Sequence, residues 1–275
     1  SANTVRQIQA LMKAGEFAEA RAMADGLLEA DANHQDGLYM AAVCARYLKD
    51  YAGAAALLER LKQVAPDFGR AFQEEGHLRL AEGRTEQALS SFQFATRYNP
   101  ALLVSWQKSA ELSQQFGDEL RAREAAAQLN RLKMLPKELL AVMNHIHEGR
   151  VIRGEEIVRA YLLRHPHDVE GMRLLADIGV RLSVLTDADF LLETAVELAP
   201  DNLQLRIDHI QILRKRQKYE AAYAQAEFLY AKDPNSPLFQ SLLAIECMHS
   251  GDIERALDLF SKVLKSNPND LAALT

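Results

Sequence analysis

Two segments of the sequence contain side chains of the types that bind metal ions. The first holds His145 and His147, and the second is the run His165-Pro-His167-Asp168. Histidine and carboxylate side chains bind zinc when they converge on one point. In a helix, however, residues two apart point in different directions, and the second segment has the composition of a turn between helices. We therefore predict no metal site.

No catalytic motif is recognisable in the sequence. The chain lacks the phosphate-binding pattern G-x-x-x-x-G-K-[ST], the nucleophile pattern G-x-S-x-G and the zinc-protease pattern H-E-x-x-H. Each of these chemistries needs its residues at a fixed spacing, because one turn or one helix face must present them together. We predict a protein without a cofactor and without an active site of its own. A longer parent protein with a C-terminal transferase domain stays open.

The densest basic run is Arg214–Lys218, at the end of an apparent helix. Cations at that end complement the helix dipole, and this structural role is one interpretation. Contact with an acidic partner through Arg214 and Lys215 is the other. Acidic residues flank the run and the formal net charge of the chain is -6, whereas nucleic-acid-binding domains are usually basic. We predict no nucleic-acid partner.

The sequence also bears on where the protein works. No apolar run approaches the roughly 18 residues of a membrane span, and no signal peptide precedes the first helical pattern. Cys44 and Cys247 each fall inside a helical pattern, which favours reduced, buried thiols. We expect a cytoplasmic protein with no membrane partner. The start at Ser1 and the end at residues 271–275, within the start of another helix, suggest a fragment of a longer protein.

The elements that would position functional residues follow from the prolines. Two sets of prolines recur at intervals of 34 residues, and they are Pro66 and Pro100, then Pro166, Pro200, Pro234 and Pro268. A proline ends a helix, because it has no backbone N–H to donate and clashes with the preceding turn. The Asp or Asn that follows several of them can cap the next helix. One stop and one start per period predict one helical hairpin every 34 residues.

Small and apolar residues recur at fixed places within each period. In frames that begin at residues 1, 35, 69, 103, 135, 169, 203 and 237, position 20 is always Ala or Gly. Positions 24 and 27 are apolar in every frame, and the three positions share one helix face. A small residue at position 20 lets the second helix approach the first closely. Glycine, frequent at position 15, suits the turn between the two helices.

This pattern resembles the tetratricopeptide repeat, whose signature is W-x2-L-G-x2-Y, then A-x3-F, then a proline. The third frame has Phe72, Gly76, Ala88, Phe92 and Pro100 at these places. The resemblance covers eight frames and nearly the whole chain. It implies an all-α fold, a right-handed superhelical α-solenoid of about eight helical hairpins.

The repeats lose their phase once. The fourth and fifth frames begin 32 residues apart, so two residues are lost near 131–136. We expect one continuous array in which residues 1–134 hold repeats one to four. Residues 135–275 would then hold repeats five to eight and the start of a further helix.

The resemblance also implies where a ligand would bind. In that family the first helices line the concave side, and positions 2, 5, 9, 12 and 13 commonly contact the ligand. Tyrosine and arginine, the side chains that most often anchor partners, are well represented at these positions. The partner-binding groove is expected to contain Tyr39, Arg46, Tyr47, Arg70, His77, Gln107, Gln114, Arg173, Arg181, Arg214 and Lys215.

Three interpretations of function follow from the resemblance. The first is a protein–protein interaction scaffold that binds a peptide or partner protein in the groove, with acidic residues of the partner facing repeats six and seven. The second is a substrate- or partner-positioning arm of a larger enzyme, because the sequence is similar to repeat regions that precede a sulfotransferase domain in some bacterial proteins. The third is a structural protein that forms homo-oligomers through uncapped ends.

Overall fold

The structure is a computed structural model that describes residues 2–266 of the chain. This part contains sixteen α-helices and no β-strand, which confirms the all-α helical-hairpin fold. The helices are α1 (Ala2–Ala14), α2 (Phe17–Ala30), α3 (Gln35–Tyr47), α4 (Tyr51–Val64), α5 (Gly69–Ala81), α6 (Thr85–Tyr98), α7 (Leu103–Gln115), α8 (Glu119–Lys133), α9 (Lys137–His147), α10 (Val151–Arg164), α11 (Val169–Arg181), α12 (Leu185–Leu198), α13 (Leu203–Lys215), α14 (Tyr219–Lys232), α15 (Pro237–Ser250) and α16 (Ile253–Ser266). Pro268 and the further helix expected at residues 271–275 lie outside the described residues.

The helices fall into two compact units that divide after Arg150. In the first unit, α1 to α8 form four hairpins, and each hairpin packs against the next. In the second unit, α10 to α16 also pack in consecutive order, with α11–α12, α13–α14 and α15–α16 as hairpins. The helix α9 belongs to the first unit. The division of the repeats between residues 134 and 135 stays a prediction.

The contact between the two helices of a hairpin depends on the small residue at position 20. Ala54 of α4 has no exposed surface, and Leu58 and Leu61 are buried on the same face of that helix. In the third hairpin, the first helix also has a residue without a side chain at the contact, Gly76. A Cβ added to Gly76 of α5 would lie only 2.8 Å from the ring of Phe92. The helices therefore approach closely enough to bury these apolar faces completely.

The turn inside each hairpin has a left-handed backbone at position 15. Five described turns use glycine with a positive φ, namely Gly15, Gly83, Gly117, Gly149 and Gly251. Lys49, Ser183 and Gln217 adopt the same conformation with φ of 64°, 62° and 58°. A side chain with a Cβ is strained there by roughly 1 kcal/mol. The geometry of the turn is thus kept even where the sequence lacks glycine.

A buried cluster of charges lies in the second unit. The Asp189 carboxylate of α12 accepts hydrogen bonds from Arg216 and Lys218, and it lies 2.7 Å from Nε2 of His209. Burial acts to raise the pKa of Asp189, but Lys218 and His209 stabilise the ionised form more strongly, so this pKa lies below its ordinary value. Two cations of the run Arg214–Lys218 therefore serve the fold.

Enlarging position 20 should separate the two helices of a hairpin. We expect Ala54→Leu to lower the free energy of unfolding by about 1–3 kcal/mol, because the well-packed contact has no space for the added atoms. The control Ala56→Leu, at an exposed position of the same helix, should change it by less than about 0.5 kcal/mol. Urea titrations followed by circular dichroism measure both. Equal stability of the two variants would contradict a close contact at Ala54.

Relieving the strain at position 15 should stabilise the fold. We expect Lys49→Gly to raise the free energy of unfolding by about 0.5–1 kcal/mol, because glycine adopts a positive φ without a steric penalty. Lys49→Ala retains the Cβ and serves as the control, with no stabilisation expected. Thermal unfolding of the three proteins measures the effect. A less stable glycine variant would mean that Lys49 is not strained.

Candidate functional site

The first unit contains an open cleft of about 390 Å³ between α1, α3 and the start of α5. Met12 and Lys13 line it from α1, and Tyr39, Val43 and Tyr47 line it from α3. Tyr39, Val43 and Tyr47 share one side of α3 because residues four apart fall on one helix face. We call this feature the α1–α3–α5 cleft. Its volume lies in the range of cavities that hold ligands.

An aromatic stack forms the apolar part of the α1–α3–α5 cleft. The ring of Phe17 stacks on Tyr47, with 4.0 Å between ring centres and 3° between ring planes. The Arg46 guanidinium lies 4.4 Å from the centre of the same tyrosine ring, and Tyr39 meets Phe68 edge-on at 5.8 Å. Tyr47 nevertheless remains 52% exposed. The cleft therefore presents a fixed aromatic surface to a binding partner.

Ion pairs border this aromatic surface. Arg70 of α5 pairs with Glu148, the residue after α9. Arg150 places Nη2 at 2.8 Å from Oδ1 of Asp36 at the start of α3. Lys13 lines the same cleft but forms no ion pair within the described part of the chain. One cation is therefore available to a ligand.

Two acidic groups beside the cleft have raised pKa values. Burial raises the pKa of Tyr39, the nearby Glu74 carboxylate adds to this, and Arg70 acts in the opposite direction. Burial also raises the pKa of Glu74 against the effect of Arg46, which donates hydrogen bonds to it. Tyr39 therefore keeps its proton at neutral pH and can donate a hydrogen bond.

The cleft brings together part of the set of residues selected from the sequence. Tyr39, Tyr47 and Arg70 line it. Arg46 packs on Tyr47 and pairs with Glu74, so it supports the aromatic stack. These four residues are contributed by α3 and α5.

The other residues selected in the first unit lie elsewhere. The ring of His77 is half-buried and meets Phe92 edge-on at 5.2 Å, so it contributes to the packing of α5 on α6. Gln107 and Gln114 are exposed on α7. Gln107 donates a hydrogen bond to Glu111 of the same helix. None of the three lines the α1–α3–α5 cleft.

In the second unit, two of the selected cations line a smaller cavity of about 210 Å³. One of them, Arg173, lies between two carboxylates, with Nη2 at 2.6 Å from Glu170 and Nη1 at 3.4 Å from Asp208. The other, Lys215, is exposed and forms no ion pair among residues 2–266. The charge of the arginine is therefore already neutralised within the chain.

The two remaining arginines selected from the sequence are also paired. Arg181 places Nε at 3.3 Å from Oδ2 of Asp177, one turn earlier. Arg214 pairs with Glu246, which is buried in α15. An acidic partner at repeats six and seven would have to compete with these carboxylates.

Sequence reasoning missed most of the lining of the α1–α3–α5 cleft, including Lys13 of α1 and the four residues Phe17, Phe68, Glu148 and Arg150. Phe17 begins a second helix and Phe68 lies in the loop before α5, whereas the ligand positions had been sought only on first helices. Glu148 and Arg150 come from the fifth repeat, 78 and 114 residues after Arg70 and Asp36. No local pattern in the sequence indicates such a distant contact.

The described part of the chain shows neither a metal-binding cluster nor a membrane-spanning helix. No cluster of three or more His, Cys, Asp or Glu side chains suited to a metal ion occurs within residues 2–266. Over the same residues, no helix combines the length and the apolar character needed to cross a membrane.

Comparison with known families decides the nature of the repeats. A family model described as tetratricopeptide repeat matches residues 5–67 and 207–270. Both matched segments are tetratricopeptide repeats. The resemblance drawn from the sequence is therefore confirmed, and the first tetratricopeptide segment carries most of the α1–α3–α5 cleft.

Individual relatives of these tetratricopeptide repeats are distant. The chain is 22% identical to cellulose synthase operon protein C of Pseudomonas fluorescens (strain SBW25), over 94% of this chain but only 19% of that protein. Among solved structures, the APC/C hetero-tetramer Cut9–Hcn1 gives 17% identity and a TM-score of 0.46, covering 94% of this chain and 51% of the matched chain. YrrB, described as a TPR protein with an unusual peptide-binding site, gives 14% identity and a TM-score of 0.36, covering 79% and 95%. With TM-scores this low, the fold of this chain rests on its own helices.

The environment of His77 leads to a pH prediction. Burial, followed by the charges of Arg46 and Lys108, lowers the pKa of His77 to about 4. Because the unfolded chain has a histidine pKa near 6.5, only the unfolded state takes up the proton between about pH 6.5 and pH 4. Folding stability from this residue is present above that window and is lost as the pH falls through it.

We therefore expect an NMR titration of the His77 ring to give a midpoint near 4. Between pH 7 and pH 4, the wild type should also lose about 3 kcal/mol of stability relative to His77→Gln, which has no group titrating there. A midpoint near 6.5, with equal pH dependence of the two proteins, would contradict the burial of this ring.

Proposed function

We propose that the chain is a protein-binding scaffold and that the α1–α3–α5 cleft holds a peptide segment of the partner. Tetratricopeptide repeats typically mediate protein–protein interaction, and stacked repeats present extended binding surfaces. The observation that carries the proposal for this particular cleft is the aromatic stack of Phe17 and Tyr47, in which Tyr47 is half-exposed. Lys13 lines the same cleft and has no ion pair within residues 2–266.

The stack has the physical properties of an anchor site. Tyrosine contributes a large apolar area with few rotatable bonds, so little conformational entropy is lost on binding. Here the ring of Tyr47 is already held between Phe17 and Arg46, which reduces that loss further. An aliphatic or aromatic side chain of the partner can cover the ring, and Tyr39 can donate a hydrogen bond to the peptide.

The first unit supports this function better than the second. An acidic partner at repeats six and seven would meet arginines that already pair with Glu170, Asp177 and Glu246. The sulfotransferase-associated arm, the homo-oligomer, the bacterial source and the cytoplasmic location stay predictions. The chain spans 19% of its curated relative, and a role within a longer protein is compatible with peptide binding by this cleft.

A random peptide library displayed on phage tests the proposal. Peptides selected on the wild-type chain would be synthesised with a fluorescent label, and their dissociation constants measured by fluorescence anisotropy. We expect Tyr47→Ala to weaken binding by about tenfold or more, as for an interface anchor. Phe116→Ala, which removes an aromatic ring of similar exposure (42%) at the end of α7, should change it by less than about twofold.

Selected peptides that bind both variants equally well would contradict the proposed cleft. So would a library that yields no peptide at all. Circular dichroism of the two variants, with unchanged unfolding midpoints, establishes that a lost affinity reflects the cleft and not the fold.

A further inference from the structure

The residues that follow α9 are fixed on the rim of the α1–α3–α5 cleft by ionic contacts. The Glu148 side chain is only 5% exposed, pairs with Arg70, and lies 3.4 Å from Nη1 of Arg150. Arg150 in turn pairs with Asp36. The cleft of the ligand-free chain therefore already contains a carboxylate on Arg70, supplied from 78 residues away.

Arg70 is suited to exchange this carboxylate for another. Its side chain remains 34% exposed and lines the cleft. An arginine presents five N–H donors, and the Glu148 pair is made through Nε. The Tyr39 hydroxyl lies next to the same guanidinium. A carboxylate that enters the cleft would find a guanidinium and a phenol hydroxyl as donors.

The charges around the cleft favour an anionic ligand. Three cations line it, Lys13, Arg70 and Arg150, against two carboxylates. The surplus cation is Lys13, which belongs to the same cleft as the exposed ring of Tyr47. The apolar surface and the surplus positive charge together favour a ligand with an apolar side chain near a carboxylate.

We propose that the cleft recognises a peptide carrying a carboxylate close to an apolar side chain, and that Glu148 occupies Arg70 until this carboxylate replaces it. The proposal rests on the proposed peptide-binding function. When another carboxylate replaces it on Arg70, the buried Glu148 keeps Arg150 as its partner at 3.4 Å, so neither charge is left buried and unpaired. The carboxylate comes from an Asp or Glu side chain or from the C-terminus of the peptide.

An internal competitor has a measurable consequence. The apparent affinity for the peptide is reduced by the fraction of molecules in which Arg70 is free to bind. If Glu148 occupies Arg70 in most molecules, removing its charge should tighten peptide binding. The gain should be confined to peptides that use a carboxylate.

The experiment uses the labelled peptides selected from the phage library. Each is compared with an analogue in which Asp or Glu is replaced by Asn or Gln, and with one amidated at the C-terminus. These are titrated into the wild type, Glu148→Gln and Glu246→Gln. Glu246→Gln is the matched control. Glu246 is also a buried carboxylate that pairs with an arginine Nε, but neither Glu246 nor that arginine lines the cleft.

On the wild type, we expect one neutral analogue to bind at least about fivefold more weakly, which identifies the source of the carboxylate. Glu148→Gln should bind the acidic peptides about three- to tenfold more tightly. Glu246→Gln should bind the peptides as tightly as the wild type does. In the double variant, Arg70→Gln should abolish the gain in affinity caused by Glu148→Gln, because the two residues act as one pair.

Peptides that depend on Tyr47 but bind equally well as neutral analogues would overturn this inference and leave the proposed function intact. Unchanged or weaker binding of acidic peptides to a folded Glu148→Gln would overturn it as well. If that variant does not fold, the comparison of acidic and neutral peptides on the wild type still decides the carboxylate requirement. If no selected peptide loses affinity on Tyr47→Ala, both the proposed function and this inference are contradicted.

Discussion

In both units, hairpins close around a residue that has almost no side chain. Ala54 is fully buried, and a single Cβ added to Gly76 would collide with Phe92. Because interiors are packed like crystals, a helix that cannot approach its partner cannot bury the apolar side chains on either side. Small residues at the contact, such as Ala54 and Gly76, therefore set the distance between the helices. Within each unit, stacking of the hairpins and the placement of their first helices depend on it.

Stacking aligns the first helices, but it does not decide which of their side chains can bind a partner. Ion pairs within the chain make that decision. Arg173 and Arg214 occupy positions expected to meet a ligand and are held by carboxylates of the chain itself. Tyr47 is also held in place, by Phe17, and yet half of its surface stays exposed. A residue that is positioned but still accessible is the better anchor, since less entropy remains to be lost on binding.

The sequence predicts much of the fold but only a minority of the residues that line the site. The proline period and the small residue at position 20 predict the hairpins, because both act locally. The left-handed turn at Lys49 could be inferred only from its place in the period, since lysine does not favour that conformation. In the site, Tyr39 and Tyr47 follow from the ligand positions that the resemblance implies. The contribution of Glu148 does not, because it depends on a contact between distant repeats that no period encodes.

The most direct test of this account is a crystal structure of the chain bound to a peptide selected on it. The account predicts electron density for the peptide in the α1–α3–α5 cleft, with an apolar side chain on the ring of Tyr47 and a carboxylate on Arg70 in place of Glu148. A peptide bound along α11 and α13 of the second unit, with the Arg70–Glu148 pair unchanged, would contradict the account.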